Sequence, residues 1–365
     1  FNTTSILNCN HISKVQLGSG VKELIIDDNA RYLNYYNYGD KVEGGFYFDI
    51  FEGGENIESV VLGKSMEYVE SYTCDTWHNV KQITIHRGIR QFNALAPEAI
   101  YTDDLAAVFE MDWGYEESAD PAIGISTCNI YTIDGKLAIG RNAKSIKIPN
   151  GTTRIGKFTF KSCSSLTSVT IPSSVTEIGI GAFYECKKLK SVALPKGLST
   201  LGEGVFYGCT SLSSATLPSS LTKIPEATFC KTGLRAIVIP KGVTLIGEEA
   251  FAECKLLYSV TLPKTLETIS DSAFYKCAAL KSIVIPDSVI RIYSRAFKDC
   301  TSLETVTNPS SVTHIGNEAF AGCNKLRYMG VSRYASVGYN AFENTTLWDN
   351  SDLPATKASM SLVKG

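Results

Sequence analysis

The sequence of 365 residues lacks several features that mark large functional classes. It has no excess of basic residues, because 35 Lys and Arg stand against 37 Asp and Glu and give a formal net charge of −2. That balance argues against a protein whose main task is to bind the phosphate backbone of nucleic acid. Its apolar runs are only a few residues long, as at 105–109, so none can cross a bilayer. The sequence therefore predicts neither a nucleic-acid partner nor a transmembrane segment.

Side chains for metal or nucleophilic chemistry are also sparse. The four His residues form no HExxH arrangement. Cys74 and His78 are the nearest approach to a metal pair, but a second pair at zinc spacing is missing. Gly179 and Gly181 lack the third glycine of a dinucleotide-binding loop. We therefore predict no catalytic residue, no cofactor and no metal ligand.

Acidic residues cluster in three loops, at 27–28, 103–104 and 116–120. Carboxylates in a loop can hold calcium, although oxygen-rich loops are usually only solvated. A calcium loop stays open as an alternative at these positions.

The sequence does contain an internal repeat of 23 residues. A proline that follows Ile or Leu recurs at steps of 23 residues, with one step of 22, at 149, 172, 195, 218, 240, 263 and 286. Phe recurs in step at 160, 183, 206, 229, 251, 274, 297, 320 and 342, and Cys at 163, 186, 209, 254, 277, 300 and 323. Self-similarity at this period indicates one stack of coils rather than two or three globular domains.

One unit, from Cys163 to Cys186, reads Cys-x-x-Leu-x-x-Val-x-Ile-Pro-x-x-Val-x-x-Ile-Gly-x-x-x-Phe-x-x-Cys. The alternation in Leu-x-x-Val-x-Ile is typical of a short strand, and the proline ends it because proline has no N–H for a ladder. A lone strand must pair in parallel with the same strand of the next coil. We predict a solenoid of the α/β type with one short parallel strand per coil of ~23 residues, little helix, and a single curved sheet.

The same frame is blurred toward the N-terminus. The spacing is kept over 9–24, 57–74 and 80–92, and is lost in inserts at 28–54, 94–104 and 112–142. In this frame Leu24 occupies the slot of Ile178. The predicted organisation is one continuous solenoid in three parts: degenerate repeats with aromatic and Gly-rich inserts at 1–142, regular repeats at 143–347, and a cap or linker at 348–365.

The repeat unit resembles the leucine-rich repeats of the BspA type, close to the Treponema-type consensus. The resemblance covers Ile146–Leu347 fully and Cys9–Phe92 in part. It implies a curved leucine-rich repeat solenoid on a bacterial or protist surface, associated with adhesion to host proteins such as fibronectin or fibrinogen and with contact between cells. The chain starts at Phe1 without a signal segment, so we expect an extracellular or cell-surface chain whose signal peptide has been removed.

Two repeat positions have a predicted structural role. Cysteines at one repeat position stack with parallel side chains and two equivalent neighbours, so no unique disulfide is encoded, and we predict buried free thiols. Cys230, in the 22-residue coil, is expected to be more exposed. The glycine after Ile, as in Gly179, is expected to lie where little space is left for a side chain. A left-handed backbone conformation is not expected there, because Pro225 occupies the same repeat position in another coil.

Candidate binding residues fall into two groups. The first lies along one rim of the outward, concave face of the sheet, just after each repeat Leu, and comprises Lys190, Arg235, Tyr258, Lys281, Glu304 and Arg327, with Tyr328 beside it. The second lies in the N-terminal inserts and comprises Tyr32, Tyr35, Tyr36, Tyr38, Phe46, Tyr47, Phe48, Trp113 and Tyr115. Tyr-rich and Gly-rich loops make adaptable contact surfaces, but such loops can also fold back to cap a solenoid end.

These observations predict a non-catalytic, monomeric surface protein for adhesion. Its expected partner is a protein of the host or of a neighbouring cell, or a glycan. Two alternatives remain open: a carbohydrate-binding surface component that uses the aromatic inserts, and a structural spacer with a plain solvated face.

Overall fold

The computed structural model describes residues 3–6, 15–16, 23–26, 32–33, 45–46, 51–52, 57–69, 79–92, 97–113, 125–307, 311–332 and 334–347. The elements of the first part are β1 (Thr3–Ile6), β2 (Val15–Gln16), β3 (Glu23–Ile26), β4 (Tyr32–Leu33), β5 (Gly45–Phe46), β6 (Phe51–Glu52), β7 (Ser59–Val61), β8 (Tyr68–Val69), β9 (Gln82–Ile85), β10 (Gln91–Phe92), β11 (Ala99–Thr102), α1 (Leu105–Glu110), β12 (Asp112–Trp113), β13 (Asn129–Thr132) and β14 (Leu137–Ile139).

The regular coils follow with two strands each. The first strand of each coil has an odd number: β15 (Ser145–Lys147), β17 (Ser168–Thr170), β19 (Ser191–Ala193), β21 (Ser214–Thr216), β23 (Ala236–Val238), β25 (Ser259–Thr261), β27 (Ser282–Val284), β29 (Thr305–Thr307) and β31 (Tyr328–Met329). The second strand has an even number: β16 (Arg154–Ile155), β18 (Glu177–Ile178), β20 (Thr200–Leu201), β22 (Lys223–Ile224), β24 (Leu245–Ile246), β26 (Thr268–Ile269), β28 (Arg291–Ile292), β30 (His314–Ile315) and β32 (Ser336–Val337).

Parallel pairing between coils confirms the predicted solenoid. In the first sheet, formed by the odd-numbered strands, Ile146 lies opposite Val169 and Val192 opposite Ala215, one 23-residue step away. The structure adds a second sheet that the sequence analysis did not predict, in which the even-numbered strands pair in the same register, as Ile155 with Ile178. Two residues are too few to show an alternating pattern in the sequence.

The frame predicted for the N-terminal part needs correction. Leu24 pairs with Val60 in the first sheet, so it does not occupy the second-strand slot assigned to it. The frame also continues through two of the predicted inserts, because Ile100 pairs with Ile83 and with Ile130. Coils of unequal length separate these partners, and a fixed period of 23 residues therefore misplaces them.

The two parts of the solenoid meet around α1 and β12. In the first sheet, the edge of β13 is covered by β14, an antiparallel strand. The second sheet continues into the regular coils, because the Trp113 N–H donates to the Lys157 carbonyl over 2.8 Å. Arg154 donates to the carboxylates of Asp112 at 2.8 Å and Glu177 at 3.2 Å. The bonds of Asp112 and Trp113 tie the first regular coil to the irregular coils before it, and the bond to Glu177 ties it to the second regular coil. The α1 helix, with six residues, is far too short to cross a membrane, and the described part of the chain contains no helix that could do so.

The core is built from columns of identical side chains. The repeat Phe rings stack from Phe160 to Phe342 with centroids 4.7–5.5 Å apart. Beside them run the Cys side chains, whose Sγ atoms donate to Phe carbonyls of the preceding coil, as from Cys186 to Phe160 over 3.0 Å. Each coil therefore buries its apolar residues against its two neighbours, as a repeat that has no core of its own must do.

The repeat glycine is tight, as predicted. A Cβ at Gly202 would lie 2.4 Å from the Ile180 nitrogen of the preceding coil, and the φ of Gly202 is not in the left-handed region. The left-handed residues lie elsewhere, two positions before and two after each repeat Phe, as at Gly181 (φ 57) and Glu185 (φ 56) around Phe183. These residues make the bends that return the chain to the first sheet.

Candidate functional site

The outer face of the first sheet is largely exposed and made mostly of small side chains. In β19, buried Val192 lies between exposed Ser191 and Ala193. The other regular coils alternate in the same way, although the middle residue is half-buried in β17, β21 and β25 and both outward threonines of β29 are half-buried. The outward residues are Ser145, Lys147, Ser168, Thr170, Ser191, Ala193, Ser214, Thr216, Ala236, Val238, Ser259, Thr261, Ser282, Val284, Thr305, Thr307, Tyr328 and Gly330. The face can therefore offer hydroxyl groups and a nearly flat surface along many coils.

Three larger uncharged side chains stand out from this face. Val238 is 66 % exposed, Val284 is 64 % exposed and Tyr328 is 62 % exposed. Exposed apolar side chains at repeated positions give the face places for contact with the apolar parts of a partner.

Beside this face lies the rim row, defined here as the residue that immediately precedes each first-sheet strand in the regular coils. It consists of Lys144, Thr167, Lys190, Ser213, Arg235, Tyr258, Lys281, Glu304 and Arg327. Backbone bonds hold the row in line: the amides of Lys190 and Ser213 donate to the carbonyls of Thr167 and Lys190 over 3.1 and 2.9 Å. Every side chain in it is exposed except that of Thr167, which is half-buried.

The rim row contains the six rim residues predicted from the sequence and places them on neighbouring coils. Lys144 was missed, although it lies two 23-residue steps before Lys190. The repeat pattern is harder to recognise at Lys144 because Ala143 precedes it, whereas Leu precedes the equivalent residue in later coils.

The aromatic candidates of the N-terminal inserts lie mostly outside the described residues. This applies to the side chains of Tyr32, Tyr35, Tyr36, Tyr38, Phe46, Tyr47, Phe48 and Tyr115. Cys74 and His78 are outside them too, as are the acidic loops at 27–28 and 116–120. Binding by these residues stays a prediction.

Trp113 does not belong to a binding surface, contrary to the prediction. Its side chain is fully buried, its Nε1–H donates to the Val108 carbonyl over 3.0 Å, and its ring packs edge-on against Phe92 at 5.7 Å. Trp113 lies beside Phe92 in the second sheet, where a large apolar side chain fills the core. The neighbouring Gly and Tyr residues had suggested a surface loop.

The structure shows an aromatic pair that the sequence analysis did not single out. Tyr101 and Tyr131 lie on paired strands, and their half-buried rings stack at 5.2 Å. Nearby on the β13–β14 hairpin, Ile133 is 57 % exposed and Leu137 is 54 % exposed. A 30-residue separation between the two tyrosines hid their proximity in the sequence.

The repeats match a known family model, the BspA type leucine rich repeat region, in 6 copies over residues 137–257 and 222–348. Together these ranges cover more than half of the chain. The chain belongs to this family.

Solved structures similar to this BspA-type chain include three bacterial repeat proteins. A leucine-rich cell surface protein of Faecalibacterium prausnitzii is 21 % identical, with 89 % of this chain and 82 % of that chain covered and a TM-score of 0.40. A leucine-rich repeat protein of Bacteroides ovatus is 22 % identical, with coverages of 88 % and 84 % and a TM-score of 0.47. The leucine-rich repeat protein of T. pallidum is 26 % identical, with coverages of 61 % and 85 % and a TM-score of 0.39. No curated protein matches the chain.

In this BspA-type chain the acidic pair at 103–104 makes bonds within the protein. Asp104 caps α1 by accepting a hydrogen bond from the Ala106 amide over 2.9 Å. Asp103 lies 3.0 Å from the His86 ring nitrogen, and Asp104 lies 3.3 Å from the Arg87 guanidinium. Among the described residues, no three His, Cys, Asp or Glu side chains form a group that could hold a metal ion.

The described cysteines of this BspA-type chain are free and buried, as predicted for the stacked positions. Burial raises the pKa of Cys254 to about 11 and that of Cys230 to about 12, so these thiols stay protonated at neutral pH and are poor nucleophiles. Cys230, which was expected to be more exposed, is also buried, with 2 % exposure against 0 % for Cys209 and Cys254. In its coil Thr232 takes the place in the Cys column and contacts the Cys254 Sγ at 3.1 Å.

Proposed function

We propose that the chain is a non-catalytic protein of the cell surface or the extracellular space that binds other proteins through the rim row and the outer face of the first sheet. Adhesion to a host or neighbouring cell is the function this binding would serve. The rim row is the observation that carries the proposal.

The rim row suits protein recognition because it combines exposed Arg and Tyr side chains on a regular backbone. Arg235, Arg327 and Tyr258 are residue types enriched in binding hot spots. Adjacent Val238 and Val284 provide apolar contact beside them. Parallel pairing between coils holds the backbone of these residues in place, which limits the backbone entropy lost when a partner binds.

The arrangement of the titratable side chains supports a role without catalysis. The described thiols are buried, and burial raises the pKa values of Cys254 and Cys277. The described carboxylates near His86 are bound within ion pairs and a helix cap.

The test compares two double variants with equal changes in composition and charge. Arg235→Ser with Lys281→Ser removes two cations from the rim row. Lys223→Ser with Arg291→Ser removes the same residue types from exposed positions of the second sheet. Binding of each chain to immobilised fibronectin, fibrinogen and polysaccharides is measured by biolayer interferometry.

We expect the intact chain to bind a protein ligand, the rim variant to lose at least about five-fold in affinity, and the second-sheet variant to keep its affinity. Equal losses in the two variants would place the binding surface elsewhere. Binding only to polysaccharide would replace the proposal by the carbohydrate-binding alternative.

A further inference from the structure

The cations of the rim row recur on alternate coils. From Lys144 to Arg327, every second coil carries a cation at the rim-row position. The coils between them carry Thr167, Ser213, Tyr258 and Glu304 at that position. The five cations are Lys144, Lys190, Arg235, Lys281 and Arg327, and all five are exposed. The chain thus contains a two-coil period in addition to the 23-residue repeat.

A second column on the same face follows this two-coil period. The last outward position of the strand is Ala or Val in three of the cation-bearing coils, namely Ala193, Val238 and Val284, Gly330 in a fourth and the exposed Lys147 in the fifth. In the coils between them the same position is always Thr, at 170, 216, 261 and 307. From β17 to β31 the face therefore alternates between coils with a threonine and coils with a rim cation and a small or apolar residue.

The ladders of the first sheet follow this grouping only in part, because β15 pairs with β17, β19 with β21 and β23 with β25, whereas β27, β29 and β31 form one three-stranded ladder. None of the ion pairs formed among the described residues involves Lys144, Lys190, Arg235 or Lys281. The charges of these four residues are accordingly available to a partner.

The spacing of the cations selects the geometry of a partner. Strands in a sheet lie ~4.8 Å apart, so cations on alternate coils are ~10 Å apart. A polyproline II helix has three residues per turn and a rise of ~3.1 Å per residue, so every third side chain lies on one face at ~9.3 Å. The difference is small beside the reach of Lys and Arg side chains. An extended β-strand would instead repeat on one face every ~6.7 Å.

We propose that the rim row binds an acidic polypeptide segment in the polyproline II conformation, with a carboxylate at every third residue, that lies along the solenoid axis. Each carboxylate pairs with one cation of the row. The carbonyl groups of such a segment make no internal hydrogen bonds, so they can accept from the hydroxyl groups of the intervening coils. This inference rests on the proposed function and specifies its partner.

The decisive variant moves one cation by one coil without changing the composition. Lys190→Ser with Ser213→Lys exchanges two exposed residues of the rim row and breaks the alternation. The probes are a fluorescent peptide of repeated Glu-Pro-Pro triplets, with one Glu for each cation of the row, and a peptide of the same composition with its Glu residues in one block. Dextran sulfate serves as a polyanion without a peptide backbone. Binding is measured by fluorescence anisotropy at two salt concentrations.

We expect the triplet peptide to bind at least about five-fold more tightly than the block peptide, and the exchange variant to lose at least about three-fold for the triplet peptide only. The control Lys223→Ser with Arg291→Ser should keep full affinity. Equal affinities for the two peptides, or no effect of the exchange, would overturn the proposal. Binding of dextran sulfate without binding of either peptide would also overturn it.

The result separates this inference from the proposed function. Suppose that Arg235→Ser with Lys281→Ser abolishes binding to a matrix protein, but the triplet peptide binds no more tightly than the block peptide. The proposed binding surface is then supported, and the proposed conformation of the partner is wrong. If neither ligand responds to the rim row, both are wrong.

Discussion

Removal of one ring from the Phe column tests how coils stabilise each other. Phe251 is fully buried, and its ring stacks on Phe229 at 5.4 Å and on Phe274 at 5.3 Å. Truncation of a buried Phe to Ala costs about 3–5 kcal/mol, through lost burial and the cavity that is left. The substitution removes two stacked ring pairs, and each aromatic pair contributes about 0.5–1.5 kcal/mol beyond its buried area. We therefore expect a loss in the free energy of unfolding toward the upper end of the range of about 3–5 kcal/mol.

The position of the damage is as informative as its size. In a solenoid, stability is a sum of coil terms and nearest-neighbour interfaces, so Phe251→Ala should weaken the coils of Phe229 and Phe274 more than distant coils. Hydrogen exchange with mass spectrometry measures this, since amides of the affected coils exchange faster. Urea unfolding followed by circular dichroism gives the total loss.

The matched control is Tyr258→Ala, which removes an aromatic ring from the rim of an adjacent turn. Tyr258 is 56 % exposed, so its loss should change stability by less than about 0.5 kcal/mol. Equal effects of the two substitutions, or uniform acceleration of exchange along the whole solenoid after Phe251→Ala, would refute the nearest-neighbour account.

Two further predictions concern the tight glycines and the buried thiols. Gly202→Ala should lower the free energy of unfolding in urea by about 1–3 kcal/mol, because the new Cβ would lie 2.4 Å from the Ile180 nitrogen. Gly197→Ala, whose Cβ would have its nearest contact at 3.8 Å, should not destabilise the chain. Similar losses at both sites would contradict this prediction. Burial raises the pKa of Cys254 to about 11, above the value of 9.0 expected for an unfolded thiol, so the folded chain retains this proton longer. The contribution of this thiol to folding stability is present below pH 9 and is lost as the pH rises toward about 11. The measurement compares the unfolding midpoints of the wild type and of Cys254→Ala over that pH range. If the two midpoints fall in parallel, the thiol makes no such contribution.

The regular part of the fold could be predicted because its period is nearly constant. Phe183, Cys186 and their equivalents lie where a 23-residue frame places them, in the core. The second sheet was missed because strands such as Glu177–Ile178 are too short to show a pattern. In the N-terminal part, the coil that links Ile83 to Ile100 is shorter than the period, and pairing rather than spacing keeps its residues in register.

The candidate site was predictable only to the extent that it follows the repeat. Lys190 and Arg235 are both exposed in the rim row because their repeat position precedes a first-sheet strand in every regular coil. Trp113 was misjudged because a large aromatic residue beside glycines can equally fill a core, and its burial depends on Phe92 from another coil. Contacts of this kind depend on pairing between distant segments, which one sequence does not show.

Chemical protection of lysines tests the location of the binding surface most directly. The chain is treated with an amine-reactive reagent alone and when saturated with a matrix protein to which it binds, and labelling is measured by mass spectrometry. The account predicts that Lys190 and Lys281 of the rim row become protected while Lys223 of the second sheet stays reactive. Protection of Lys223 with continued labelling of Lys190 and Lys281 would contradict it.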